Sequence, residues 1–202
     1  MTEPAPVLYY PLHLFKLSLS AGAANAAIDG LMADALESAS RAVETYCGGR
    51  IFYRTPVQAR AFRVARRVVA CDDGDELLVE DIAAAPTLVE IRGGRAGVWR
   101  PVTGVYDLEP DTALERLRPV TSLLADFGTW GVDRVRITAE WGWPAVPRDI
   151  REATKLLAAR LYKRKDTSTG VEGVGDWGPV RVAASDPDVR ALLEDFRLPS
   201  AA

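Results

Sequence analysis

With 202 residues, 48% hydrophobic and 26% charged, the chain has ordinary globular composition and enough apolar material for one sizeable core, so a single folding unit is expected. A formal net charge of -3 and an isoelectric point near 5.3 exclude a protein whose whole surface grips a phosphate backbone, and leave only local basic patches for that purpose. Two cysteines, Cys47 and Cys71, are too few for a cysteine-only zinc site or a disulfide framework, and are read as buried free thiols suited to a reducing compartment.

Residues 1–11 lack a basic leader followed by a small-residue cleavage site, so export is not expected. No apolar run approaches the roughly 18 residues that would span a bilayer, which argues against a membrane partner. The first strong pattern covers residues 24–47, where Ile28, Leu31, Met32, Ala35, Ala39, Ala42, Val43 and Tyr46 recur at helical spacing. Ser18 and Ser20 offer caps before this long amphipathic helix, and Gly48-Gly49 ends it, because glycine takes the left-handed conformation that a helix end needs.

From 51 to 143 the texture changes to short β-rich runs broken by Gly, Pro and Asp, with candidate strands at 60–71, 76–82 and 87–92 and a hairpin turn at Gly93-Gly94. Further runs follow at 98–102, 105–108 and 134–141. The last alternates Val135, Ile137, Ala139 and Trp141 with Arg134, Arg136, Thr138 and Glu140, one face in and one out. Pro144 and Pro147 break this pattern, and a second helix begins at Asp149 with the stripe Ile150, Ala153, Thr154, Leu157, Ala158, Leu161 and Tyr162. It closes on Lys163-Arg164-Lys165, cations at the end that the helix dipole favours. A glycine-rich loop at 170–178 and a short strand at 180–182 follow. Asp186 and Pro187 then start a last helix carrying Val189, Leu192, Leu193 and Phe196. The expected class is α+β: a long N-terminal helix and C-terminal helices forming a helical bundle over 20–50 and 144–202, with an antiparallel β-domain inserted at 51–143.

Candidate chemistry is sparse. The only histidine, His13, sits in an apolar run, which reads as structural rather than as the base of a nucleophilic site, and His13, Cys47 and Cys71 are too scattered to hold a metal. Asp72, Asp73, Asp75, Glu76, Glu80 and Asp81 form a run of charge -6 that lacks the ligand spacing of a calcium loop and reads as a solvated turn. No Lys-Ser or Lys-Thr follows the glycines of 170–178, so no nucleotide site is expected, and no catalytic residue or cofactor is assigned. Residues 148–165 carry seven cations against two acids, a local balance of +5. That polarity suits head-to-tail packing between subunits, an acidic partner or DNA, and equally a solvated helix face. Of five tryptophans, Trp130, Trp141, Trp143 and Trp177 lie near glycines. Trp177, within the glycine-rich loop, is the candidate interface anchor. A carboxylate-based hydrolase remains a minor alternative, since spacing alone does not exclude a pair among 28 acids.

Function enters through resemblance. The stretches Ile137-Thr138-Ala139-Glu140-Trp141-Gly142-Trp143-Pro144 and Val146-Pro147-Arg148-Asp149-Ile150 are followed by Ala158-Ala159-Arg160-Leu161-Tyr162-Lys163-Arg164-Lys165-Asp166. After them come Gly170-Val171-Glu172-Gly173-Val174-Gly175-Asp176-Trp177-Gly178-Pro179-Val180-Arg181-Val182 and Asp186-Pro187-Asp188-Val189 with Leu192, Leu193, Phe196 and Arg197. In this order and spacing they resemble the C-terminal half of the head-tail connector (adaptor) family of long-tailed phages and gene transfer agents. Tyr46-Cys47-Gly48-Gly49-Arg50-Ile51-Phe52 is similar to the exit of that family's first helix. Tyr106-Asp107-Leu108-Glu109-Pro110 and Arg118-Pro119-Val120 are similar to parts of its β-insertion. The run Leu8-Tyr9-Tyr10-Pro11-Leu12 has no counterpart in it.

The resemblance implies a non-enzymatic virion protein, assembled in the host bacterial cytoplasm, that forms a dodecameric ring beneath the portal protein. Such a ring extends a channel through which double-stranded DNA passes without sequence-specific contact, and offers a platform for the tail, a tail terminator or a head-completion protein. In that setting the acidic run would keep the duplex from sticking. The portal and subunit interface implied here comprises Lys163, Arg164, Lys165, Gly170, Gly173, Gly175, Trp177, Val180, Arg181, Val182, Phe196 and Arg197. The alternative is a neck or tail-completion protein that binds the tail end.

Overall fold

The computed structural model describes residues 7–19, 26–72, 74–94, 97–102, 106–127, 131–166 and 186–198, with the side chains of 164–166 outside that description. The chain divides into two compact units, Met1–Phe52 with Val146–Ala202, and Tyr53–Ala145.

The first unit holds α1 (Leu12–Ser18), α2 (Ala26–Tyr46), α3 (Arg148–Asp166), α4 (Pro187–Leu193) and a closing 3-10 turn, Glu194–Phe196. Here α2 packs on α3, α1 on α2 and α4 on α3. Met32, Ala35, Leu36, Ala39, Ala42 and Val43 form the buried stripe of α2, and Ile150, Ala153, Leu157 and Ala158 are buried on α3. The many alanines keep these buried faces shallow, which favours close helix packing. Met32, Ala35, Ala39, Ala42 and Val43 of the expected stripe are buried; Leu36, outside it, is fully buried as well, while Ile28 lies exposed at the first turn. At the other end Gly48 and Gly49 both take positive φ, 82° and 85°, and the Gly49 N–H donates to the Glu44 carbonyl at 2.8 Å, closing the last turn.

The second unit holds β1 (Gln58–Arg63), β2 (Val68–Cys71), β3 (Gly74–Ile82), β4 (Leu88–Arg92), β5 (Arg100–Pro101), β6 (Asp107–Glu109), β7 (Val120–Ala125) and β8 (Arg134–Ala139). They make two four-stranded antiparallel sheets, ordered β1-β8-β4-β5 and β2-β3-β7-β6. Phe62, Val89, Val135 and Ile137 from the first sheet and Leu77, Ile82, Val120 and Leu123 from the second belong to one buried cluster with Trp141. The sheets therefore share a core and turn their other faces away from it.

These observations overturn the expected class of a helical bundle carrying an inserted β-domain. Among the described residues the four α-helices have 7, 21, 19 and 7 residues, whereas eight strands form two complete sheets with their own core. A bundle needs several helices long enough to share an apolar seam. At 3.6 residues per turn α1 and α4 have barely two turns each, so only α2 and α3 supply such a seam, and among the described residues eight strands outnumber four helices. The run expected as one strand at 60–71 splits into β1 and β2 around a turn in which Arg66 takes a positive φ of 71°. The strand β7, interior to the second sheet, has no counterpart among the expected elements.

Trp141 anchors this second core. It is fully buried, its indole Nε1 donates to the Gln58 carbonyl at 2.9 Å, and the Phe62 ring lies 5.6 Å away. Trp141→Ala should lower stability by about 3–5 kcal/mol through cavity formation and loss of that hydrogen bond. Thermal and urea unfolding followed by near-UV circular dichroism would show it, and a change under about 1 kcal/mol would mean that the two sheets do not depend on this side chain.

Candidate functional site

His13 is exposed on α1, and among the described residues no group of three or more His, Cys, Asp or Glu side chains gathers with metal-binding geometry. Cys47 is buried as expected, but Cys71 lies exposed at the end of β2, because that strand turns most of its side chains outward. Most of the acidic run lies on a strand rather than in a turn, with Asp75, Glu76, Glu80 and Asp81 on β3. Glu80 pairs with Arg60, and Asp81 accepts from the Trp143 indole at 3.1 Å.

The N-terminal run Leu8-Tyr9-Tyr10-Pro11-Leu12 is held down by one tyrosine. Tyr9 is buried; its hydroxyl donates to Glu44 and accepts from the Phe52 N–H at 3.0 Å, while its own N–H donates to the Ser40 hydroxyl at 3.2 Å. Arg41 lies 5.8 Å from the Tyr9 ring centre, pairs with Glu44 at 3.1 Å and donates to the Val7 carbonyl at 2.9 Å. Burial raises the Tyr9 hydroxyl well above its ordinary range, with the Glu44 contact adding to it. Burial also raises the Glu44 carboxyl, against the opposing pull of Tyr9 and Arg41. The segment before α1 and the chain after α2 are thus tied to the same face of α2. Nothing in the local sequence distinguishes this tyrosine from its neighbour Tyr10, whose ring lies 6.0 Å from the Lys155 ammonium.

The sequence-derived interface residues fall into three groups. Gly170, Gly173, Gly175, Trp177, Val180, Arg181 and Val182 lie outside the described residues, as do the side chains of Arg164 and Lys165. Lys163 is exposed on the last turns of α3. Phe196 and Arg197 are engaged within the chain. Phe196 packs edge-on against Phe52 at 5.7 Å with its carbonyl accepting from Arg50 at 3.2 Å, and Arg197 lies 5.2 Å from the Tyr46 ring. Two α3 cations are engaged too: Lys155 with Glu152, and Arg160 with the buried Asp186. Asp186 also caps α4, accepting from the Asp188 N–H at 3.0 Å and the Val189 N–H at 3.4 Å.

Besides the exposed Arg148, Arg151 and Lys163 of α3, charge is displayed on the β-unit, where it is divided between the sheets. The strands of the first sheet carry Arg60, Arg63, Arg92, Arg100, Arg134 and Arg136 against the single acid Glu90. Those of the second carry Asp75, Glu76, Glu80, Asp81, Asp107 and Glu109 and no cation. Register places Arg63, Arg134 and Arg92 abreast on the outer face of the first sheet, with Ala61, Arg136 and Glu90 in the next row. Arg136 grips Glu90 through two bonds of 2.6 and 2.7 Å, holding its carboxyl below the usual range. Trp99 takes the guanidinium groups of both Arg92, at 4.9 Å, and Arg136, at 4.5 Å. On the outer face of the second sheet Val69, Glu76, Leu124 and Asp107 form one row, and Leu78, Ser122 and Glu109 the next.

No family model matches the chain, and no curated protein matches it. Solved structures do. Over its whole length the chain is similar to a chain from the neck of an empty gene transfer agent particle computed with C6 symmetry, at 25% identity, covering 95% of that chain with a TM-score of 0.56. At 23% identity it shares the fold of a chain from the virion of a native gene transfer agent particle, again over 100% of this chain and 95% of that one, with a TM-score of 0.50. The likeness supports a structural, neck-type component of a phage or gene transfer agent particle.

Two outcomes are expected of the helical unit. Tyr9→Phe removes the acceptor of the buried Phe52 N–H and the donor to Glu44, so stability should fall by about 1–3 kcal/mol, with faster hydrogen exchange at the Phe52 amide. An unchanged exchange rate there would mean that the N-terminal segment is not held through this hydroxyl. Burial pushes the Cys47 thiol up to about 12, so a thiol reagent at neutral pH should label Cys71 alone in the native protein and both cysteines in denaturant. Rapid native labelling of both would contradict the burial of Cys47.

Proposed function

We propose that this chain is a non-enzymatic subunit of the ring that joins head to tail in a phage or gene transfer agent particle. It docks beneath the portal protein, extends the DNA channel and serves as a platform for a tail terminator or head-completion protein. The observation that carries this reading is the full-length likeness to a chain of a gene transfer agent neck. The six-fold symmetry of that particle's neck accommodates a ring of twelve copies as readily as one of six. In keeping with an assembly role, rows of like charge stand side by side on the outer sheet faces of the β-unit.

In this reading portal docking falls to Lys163, Arg164, Lys165 and the segment from Gly170 to Arg197, with Trp177 as its aromatic anchor. Phe196 and Arg197 serve it indirectly, by fixing where that segment ends against α2. Duplex DNA passes through the ring without sequence-specific contact, and the subunit is carried in the finished particle. Electron microscopy of the purified protein mixed with the portal ring encoded by the same genome should reveal an added layer on the narrow end of the portal, absent from portal alone. Binding to tail tubes with no layer on the portal would instead make the chain a tail-completion protein.

A further inference from the structure

We propose that the two outer faces of the β-unit are the complementary halves of a contact between copies of this chain. The arginine face of the β1-β8-β4-β5 sheet in one copy seats on the carboxylate face of the β2-β3-β7-β6 sheet in the next. The inference rests on the ring reading above and names the surfaces through which such a ring closes.

Three observations carry it. First, Arg63, Arg134 and Arg92 stand directly opposite one another on three adjacent strands, an arrangement that like-charge repulsion disfavours in an isolated sheet. Among the described residues no carboxylate pairs with Arg63 or Arg134, so an outside source of negative charge would relieve that repulsion. Second, the other sheet offers Glu76, Asp107 and Glu109 on its outer face with no cation on any of its strands. Third, both faces also expose apolar side chains. Leu88 is 41% exposed in the row beyond Arg136, and Val69 and Leu78 are 47% and 44% exposed among the carboxylates. A surface made for DNA phosphates gains nothing from exposed leucine and valine, whereas a protein interface combines arginine with apolar area. The faces lie on opposite sides of one core, so joining them is a head-to-tail contact, the kind that generates rings rather than closed dimers.

The test uses the full chain with Arg63→Glu/Arg134→Glu on one face and Asp107→Lys/Glu109→Lys on the other, each checked for native circular dichroism. Wild-type protein should self-associate in sedimentation velocity at low ionic strength and do so less as salt is added. Each reversed variant alone should associate at least about tenfold more weakly. An equimolar mixture of the two should recover wild-type association, because the variants alternate with opposite charge at every contact. A mixture as weak as its components overturns the proposal. So does loss of binding to a mixed-sequence DNA duplex in the arginine variant with self-association unchanged, which would assign that face to nucleic acid. A wild-type chain that is monomeric in solution and adds no layer to the portal overturns it as well. A layer formed equally well by the arginine variant sinks this contact and leaves the ring reading standing. Charge-dependent association without a portal layer does the reverse.

Discussion

The alternation of β8 between its two neighbours is the constraint on which the β-unit depends. Because successive side chains on a strand point to opposite faces, the register that puts Val135 and Ile137 into the core also puts Arg134 and Arg136 outside, beside Arg63 and Arg92. A slip of one residue would bury two guanidinium groups and expose two branched aliphatic side chains. Core packing and surface charge are therefore one specification, and the basic face is as firmly placed as the core beneath it. The same logic runs through the second sheet, where Leu77 and Leu123 face inward while Glu76 and Leu124 lie outward in register.

The helical unit is organised differently. Its seam is the contact of α2 with α3, and several polar residues around that seam tie chain ends down. Tyr9 and Arg41 hold the segment before α1, and Asp186 both caps α4 and pairs with Arg160. Cations on α3 that look like a docking surface in the sequence are in part internal fasteners. An ion pair with a buried, hydrogen-bonded carboxylate such as Asp186 fixes geometry more effectively than a pair between two mobile surface groups.

How much was legible varies with the kind of pattern. The helical periodicity at 24–47 lies over α2 at Ala26–Tyr46, and the alternation from Arg134 lies over β8. The strand β7 is not legible locally, because Val120, Ser122, Leu123 and Ala125 are all buried and the run shows no polar alternation to distinguish it from any short apolar segment. A related limit applies to the fold class: two long helices announce themselves in sequence, while eight short strands with turns between them do not announce that they close into two sheets. Tyr9 was silent as well, since its partners Ser40, Glu44 and Phe52 are 31, 35 and 43 residues away.

By itself the sequence determined what depends on neighbours along the chain. That covers the apolar periods, the glycine stop at Gly48-Gly49, the Asp186-Pro187 helix start and the sparse supply of catalytic side chains. Only the tertiary structure decided which charges meet a partner within the chain and which are brought side by side. Arg160, within the basic run of α3, is drawn to Asp186, whereas Arg63, Arg92 and Arg134, far apart in the chain, are brought abreast. The reason is physical: helix and turn signals arise from contacts a few residues apart, but a row across a sheet is set by hydrogen-bond register between strands separated by dozens of residues, and no local pattern encodes that register.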